Sequence, residues 1–172
     1  MFVNTPFNTL FETEEQFYIP CGFELKNQIQ EKESAAYSAF TFEINTLKIV
    51  FRVAKTTPTK IGQFVTLWKR IGKGPIQPYD DTDAIDFVVI NTKTITHFGQ
   101  FVFPKAILME HGIFTSSLKE GKRALRVYPS WDLPTSPQAL KTQQWQSFYF
   151  LKIPLDKPID IERAKLLYTV PN

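Results

Sequence analysis

Residues 37–55 constrain the fold most, because apolar residues alternate with other residues on both sides of a two-residue turn, Asn45 and Thr46. Alternation with a period of two is typical of strands that bury one face, and a two-residue turn fixes the register of a hairpin. The register places apolar residues opposite each other: Ile44 with Leu47, Phe42 with Ile49 and Phe40 with Phe51. The segment therefore predicts a β-hairpin with one apolar face, and Glu43 opposite Lys48 on the other face.

The rest of the chain mixes helix and strand patterns. Residues 7–33 predict two helices with a break near Pro20 and Gly22. Thr57 before Pro58 predicts a helix through Arg70, because Thr caps free amides and Pro suits the first helical position. Strands are predicted at residues 86–91, 100–103, 122–128 and 148–153, and helices starting at Pro104, Ser136 and Asp160.

This order predicts an α/β fold with a mixed central sheet flanked by helices, rather than a helical bundle or a β-sandwich. A chain of 172 residues suits a single domain over residues 1–172, and its 16 Phe supply a large core. The strand order does not follow from the sequence.

The single cysteine, Cys21, cannot form an internal disulfide, so nothing indicates an oxidising compartment. The chain has neither a basic leader followed by an apolar block nor an apolar run long enough to cross a bilayer. We therefore expect a cytoplasmic protein with no membrane partner. The oligomeric state is left open.

Charge is arranged in blocks, although the net charge is only +3. Residues 44–79 contain no acidic residue, whereas residues 1–43 contain seven Glu. The basic side chains of the acid-free run are Lys48, Arg52, Lys55, Lys60, Lys69, Arg70 and Lys73. Unpaired, they create a positive potential that attracts anions. The alternative is that blocks of opposite sign pair on the folded surface.

Two anion sites are predicted. The first comprises Lys55, Thr56, Thr57 and Lys60, where free amides at the expected helix start meet two lysines, which suits a phosphate or carboxylate. The alternative is a capped helix with solvated lysines. A basic and aromatic strand surface combines Arg52 with Arg126 and Tyr128, which suits phosphate contact and base stacking. In its alternative, Arg52 pairs with a carboxylate and the aromatic rings pack. Trp131 belongs to this second group, and Lys69 and Arg70 complete the predicted anion contacts.

Metal and cofactor chemistry has little support in the sequence. Asp80, Asp81, Asp83 and Asp86 offer oxygen ligands for Mg²⁺, but Asp is also a habitual turn residue. His97, His111 and Cys21 are not at ligand spacing, and no glycine pattern of a dinucleotide site or P-loop is present. We expect no cofactor and no bound metal.

Four motifs occur in order, FRVAKTTPTKIGQFVTLWKR, GQFVFPKAIL, GKRALRVYPSWD and TQQWQSFYF. Together they span about residues 33–150, and on them the chain resembles the MepB family. The resemblance implies a bacterial protein with a restriction-endonuclease-like core, from a family that some bacteria encode beside a drug-efflux regulator and pump.

Active nucleases of that fold hold a metal with an acidic residue on one strand and an acid-x-Lys motif on the next. Here the expected strand end reads Arg52-Val53-Ala54-Lys55, with Arg where a carboxylate is needed. The resemblance and the charges together predict binding of nucleic acid or a phosphorylated small molecule without catalysis. Two alternatives stay open: a metal-dependent nuclease that uses Glu33, Glu43 and Asp86, and a protein-interaction module that uses the charge blocks.

Overall fold

A computed structural model describes residues 9–171. The helices are α1 (Leu10–Thr13), continued by a π-helical turn (Glu14–Tyr18), α2 (Lys105–Glu110), α3 (Pro137–Gln146) and α4 (Ile161–Leu167). The strands are β1 (Leu25–Gln30), β2 (Phe40–Ile44), β3 (Leu47–Val53), β4 (Lys55–Thr56), β5 (Gln63–Thr66), β6 (Lys69–Arg70), β7 (Ile76–Gln77), β8 (Phe87–Lys93), β9 (Phe98–Pro104), β10 (Ala124–Val127) and β11 (Phe150–Lys152).

Six strands form a mixed central sheet in the order β1-β2-β3-β8-β9-β11. The pair β3–β8 is parallel, and the other neighbouring pairs are antiparallel. A second sheet has the order β10-β5-β4, and β6 pairs with β7. The predicted α/β architecture with a mixed sheet is thereby confirmed.

The predicted hairpin is confirmed in its register, because β2 and β3 pair Ile44 with Leu47 and Phe40 with Phe51. Asn45 and Thr46 both have positive φ, 49° and 72°. Positive φ at both central residues is typical of the type I′ turn, one of the two common two-residue hairpin turns. Local sequence therefore determines this part of the sheet.

One face of the central sheet is covered by α1, the π-helical turn and α4. Its apolar core includes Phe17, Phe51, Phe87 and Leu167. A chain of buried hydrogen bonds crosses this core: Tyr18 and Tyr168 hydroxyls bond each other at 2.7 Å, Gln100 donates to Tyr18 and Asn91, and Asn91 donates to Thr13. These bonds join the first and last described helices to the middle of the sheet.

The opposite face of the central sheet carries a second apolar core. It is covered by the sheet β10-β5-β4, by α2 and by part of α3. The buried side chains that fill the interface are Val50, Val65, Val88, Ile90, Phe101, Phe103, Leu108, Phe114, Leu125 and Val127. The small sheet thus has a buried inner face and an outer face turned to solvent.

The predicted helix from Pro58 to Arg70 is wrong, because this segment forms a bent loop followed by β5 and β6. Gly62 has φ +89°, which a right-handed helix cannot accept. Beyond it, Gln63 and Val65 are buried while Phe64 and Thr66 are partly exposed, which is strand alternation. Backbone pairing of β5 with β10 stabilises the strand instead of the helix.

The second predicted helix within residues 7–33 is also wrong. The first is present as α1 with its π-helical turn, and residues 7–8 lie outside the described part of the chain. Residues 25–30 form β1, which pairs with β2 through Leu25 opposite Ile44, so edge pairing prevails over the helical pattern. The later predicted strands are confirmed as β8, β9, β10 and β11, and the later helices as α2, α3 and α4. Within residues 9–171, no helix combines the length and the apolar character that crossing a bilayer requires.

Candidate anion-binding surface

The outer face of the sheet β10-β5-β4 brings basic and aromatic side chains together. Lys55 and Arg126 are both paired in register with Phe64, from opposite sides. Residues directly opposite in a sheet project to the same face. Lys55 is exposed, and Phe64 and Arg126 are partly exposed. We call the surface formed by Tyr37, Lys55, Phe64, Arg126 and Tyr128 the outer face.

Arg126 lies near the centre of the outer face, and its hydrogen-bond partners are neutral groups. Its Nη1 donates to Thr57 Oγ1 at 3.0 Å and to the carbonyls of Gly62 and Ile61 at 3.3 and 3.4 Å. The guanidinium lies 5.9 Å from the centre of the Phe64 ring. All of these partners are neutral, and within residues 9–171 no carboxylate forms an ion pair with Arg126. A positive charge is therefore held in a fixed position.

Lys55 provides a second cation, which is paired with Phe64 on the side opposite to Arg126. Its Nζ lies 5.0 Å from the centre of the Tyr37 ring, and Tyr37 contacts Phe64 edge-on at 6.2 Å. Lys60 is exposed in the loop between β4 and β5. In the described part of the chain neither lysine forms an ion pair. The outer face and its adjoining loop therefore hold three cations without acidic partners.

Tyr128 extends the outer face beyond the end of β10. A Cβ at Gly62 would lie 2.8 Å from two atoms of the Tyr128 ring, so the ring packs directly over the glycine backbone. On the other side, Gln146 of α3 accepts from the Tyr128 amide at 2.8 Å and donates to the Arg126 carbonyl at 3.1 Å. Gln146 is only 1% exposed. These contacts hold Arg126 and Tyr128 in place before any ligand binds.

The predicted anion site at a helix start is corrected, since no helix begins at Thr57. Thr57 instead accepts a hydrogen bond from Arg126 and donates one to the Lys60 carbonyl at 3.4 Å. The residues proposed from sequence, Lys55, Thr57 and Lys60, nevertheless lie on or beside the outer face. Strand pairing, rather than helix amides, brings them close to Arg126.

Arg52 lies in the core, which corrects its expected place on the basic surface. Its side chain is 0% exposed, and Nη2 lies 2.7 Å from Glu31 Oε2. Arg52 also donates to the carbonyls of Phe51 and Thr66. Burial raises the pKa of the Glu31 carboxyl, and the Arg52 charge opposes that rise. Arg52 thus belongs to the alternative in which it pairs with a carboxylate.

Lys69 and Arg70 are paired as well. Lys69 Nζ lies 2.7 Å from Asp83 Oδ2 and 3.0 Å from Asp80 Oδ2, and Arg70 Nε lies 2.8 Å from Glu33 Oε1. Lys69, Arg70 and Arg52 are therefore each paired with a carboxylate, as the alternative of pairing between charge blocks predicts. The expectation of free cations is therefore wrong for them.

The acidic residues considered for metal binding serve other contacts. Asp80 accepts from the hydroxyl and amide of Thr82, which helps lower the pKa of Asp80 to about 2. Glu43 accepts from Asn27 at 2.9 Å, and Asp86 accepts from the Lys48 amide at 2.8 Å. Among residues 9–171 no group of three or more His, Cys, Asp or Glu side chains is arranged to hold a metal ion.

Sequence reasoning missed Tyr37 and Phe64, and it placed Trp131 with the stacking residues. Trp131 stacks on His97 with ring centres 5.1 Å apart and packs against the second core. Phe64 lies within the segment that the sequence predicts as a helix, so its place on a strand does not follow from that prediction. The signal that would have found it is Gly62 followed by a short alternating run.

Comparisons with known proteins found a matching family and a similar solved structure. A family model described as MepB-like matches residues 31–152, which include every residue of the outer face. A crystal structure of MepB is similar to the chain with a TM-score of 0.73 and 37% sequence identity, covering 78% of this chain and 89% of that one. None of the curated proteins matches the chain significantly.

Proposed function

This chain belongs to the MepB-like family, and we propose that its outer face binds single-stranded nucleic acid, without catalysis. The observation that carries the proposal is the position of Lys55 and Arg126 on either side of Phe64, with no acidic partner in the described residues. An Arg guanidinium contacts phosphate oxygens through its planar set of donors, and aromatic rings stack on unpaired bases.

The dimensions of the outer face favour a single strand over a duplex. β5 and β10 have four residues each and β4 has two, so the face is small. Its aromatic residues, Tyr37, Phe64 and Tyr128, can stack only on bases that are not already paired. A phosphorylated small molecule with a planar ring shares this chemistry and is the narrower form of the same proposal.

Fluorescence anisotropy with an oligothymidine of about twelve nucleotides tests the proposal, since single-strand sites commonly cover ~4–16 nucleotides. Lys55→Ala and Lys60→Ala should each weaken binding and reduce the dependence of log Kd on log salt by about one phosphate contact. Lys165→Ala is the matched control, because Lys165 is an exposed cation on α4, which covers the other face of the central sheet. Its affinity should equal that of the wild type.

Absence of oligothymidine binding by the wild type, or equal losses in Lys55→Ala and Lys165→Ala, would refute the proposal. Thymidine monophosphate in competition separates the two forms: displacement at similar concentrations of nucleotide favours a small phosphorylated ligand. A parallel incubation of labelled strand with Mg²⁺ or Mn²⁺ tests the nuclease alternative, for which strand cleavage is the expected sign.

Two further parts of the proposal concern the whole molecule. The central sheet is proposed to be a restriction-endonuclease-like core; a mixed sheet with helices packed on it supports this. A cytoplasmic location is supported by Cys21, a buried thiol with no disulfide.

A further inference from the structure

A cavity of about 330 Å³ adjoins the outer face at Tyr128. It lies between the segment that follows β10 and the side of α3. The residues that line it include Tyr128, Asp132, Leu133, Leu140, Gln143 and Phe150. Tyr128 therefore belongs to both the outer face and the cavity.

The walls of the cavity are held by hydrogen bonds. Gln143 of α3 donates to the carbonyls of Pro129 and Asp132 at 3.1 and 2.9 Å. Gln146, one turn later, fixes the main chain of Tyr128 and Arg126. The loop is therefore tied to α3 at two levels, and the cavity exists without a ligand, as small-molecule sites usually do.

The surface of the cavity is suited to a flat ring. Leu133 is 80% exposed and Leu140 is 49% exposed, so two large apolar side chains border it in contact with water. Tyr128 offers an aromatic ring beside them, and Phe150 is buried behind. Covering such side chains with a planar group removes apolar area from water.

Asp132 is the acidic residue in the lining of the cavity. Its carboxyl group is partly buried, and no hydrogen bond or ion pair to it occurs within residues 9–171. Burial raises the pKa of Asp132, because the charged form loses water without gaining a partner. A ligand that donates hydrogen bonds to both carboxylate oxygens would satisfy this group.

We propose that this cavity binds a guanine base of the strand, with Asp132 accepting hydrogen bonds from the base. The inference rests on the proposed function, because the phosphates of the same strand contact Arg126 and Lys60. Guanine presents two neighbouring donors, N1–H and the 2-amino group, on its Watson–Crick edge. Adenine and cytosine present one donor beside an acceptor there, and an acceptor faces a carboxylate unfavourably.

The test compares oligothymidine with the same strand carrying one central guanine, hypoxanthine, adenine or cytosine, all measured by anisotropy. Guanine should strengthen wild-type binding about tenfold, the discrimination typical of a bidentate base contact. Hypoxanthine lacks the 2-amino group and should lose most of this gain. Asp132→Asn replaces one acceptor oxygen by a donor, so it should abolish the guanine preference, which is measured within the variant as the ratio of its affinities for the guanine strand and for oligothymidine.

Asp156→Asn is the matched control, because Asp156 is an exposed carboxylate on the loop that follows β11; it should keep the guanine preference. Equal affinity of the wild type for all five strands would overturn the guanine site and leave the proposed function standing. Lack of binding to every strand would overturn both. A guanine preference that persists in Asp132→Asn, with an unchanged melting temperature, would also overturn the site.

Discussion

The side chain of Gln146 continues the edge of the small sheet, since its Nε2 donates to the Arg126 carbonyl at 3.1 Å. Its Oε1 accepts from the Tyr128 amide at 2.8 Å. A strand neighbour would make the same two contacts, one with the carbonyl of Arg126 in β10 and one with the amide of Tyr128 just after it. One helix residue thus replaces a strand at the point where the outer face meets the cavity.

Replacing Gln146 by Met keeps its length but removes both hydrogen bonds. We expect a loss of about 2 kcal/mol in the free energy of unfolding, because main-chain groups of Arg126 and Tyr128 lose partners. Urea unfolding measures the loss. Gln144→Met is the control, since Gln144 is exposed on the same helix and should change stability little. Equal stability of both variants would contradict the role of Gln146.

Gly62→Ala tests the contact between the glycine and the Tyr128 ring. The added methyl meets two ring atoms at 2.8 Å, and φ is +89°, so backbone strain and a displaced ring act together. We expect destabilisation of about 2–3 kcal/mol and weaker oligonucleotide binding. Gly72→Ala is the matched control: φ is +58° and nothing lies within 4 Å, so only the backbone cost remains. Thermal unfolding measures the loss of stability from backbone strain. Anisotropy measures the loss of oligonucleotide binding from a displaced Tyr128 ring.

Glu31→Ala leaves the buried guanidinium of Arg52 without its carboxylate. The expected loss is about 3–5 kcal/mol in the free energy of unfolding, as for other broken buried pairs. Glu33→Ala breaks the more exposed pair with Arg70 and should cost about 1 kcal/mol or less. Losses of similar size in the two variants would show that the buried charge of Arg52 does not need Glu31 as its partner.

The lowered pKa of Asp80 predicts that the protein loses stability in acid. Hydrogen bonds from Thr82 and the charge of Lys69 lower its pKa in the folded state from 3.8 to about 2. Because the pKa is lower in the folded state, the charged carboxylate stabilises the fold when the pH is above the pKa of the unfolded state. This contribution disappears as the pH falls from about 4 to about 2. Thr82→Ala should raise the Asp80 pKa and shrink the effect. An NMR titration of the Asp80 carboxyl carbon measures both values; an unchanged pKa in the variant would show that Thr82 does not cause the shift.

The parts of the fold that follow from sequence are those whose determinants are close in the chain. The β2–β3 hairpin has its turn between its strands, and α3 has its capping Ser136 directly before it, with Oγ accepting from the Ala139 amide. β5 could not be predicted in the same way, because its main partner β10 begins about 60 residues later. Its four residues fit a helical wheel equally well.

In the candidate site, too, the features that follow from sequence are those whose determinants are close in the chain. Lys55, Thr57 and Lys60 are close in sequence and remained near one another. Arg52 was misplaced because its partner Glu31 follows an edge strand that the sequence presents as a helix. The outer face itself depends on pairing in register between β4, β5 and β10, which no local pattern determines.

The extent of the family match, residues 31–152, has a practical consequence for α1 and α4, which lie outside it. These two helices cover one entire side of the central sheet. A polypeptide trimmed to the matched residues would expose Phe42, Phe51 and Phe87 to water and would aggregate. A shortened chain that keeps this core covered must therefore retain residues 9–168, since Thr9 caps the start of α1.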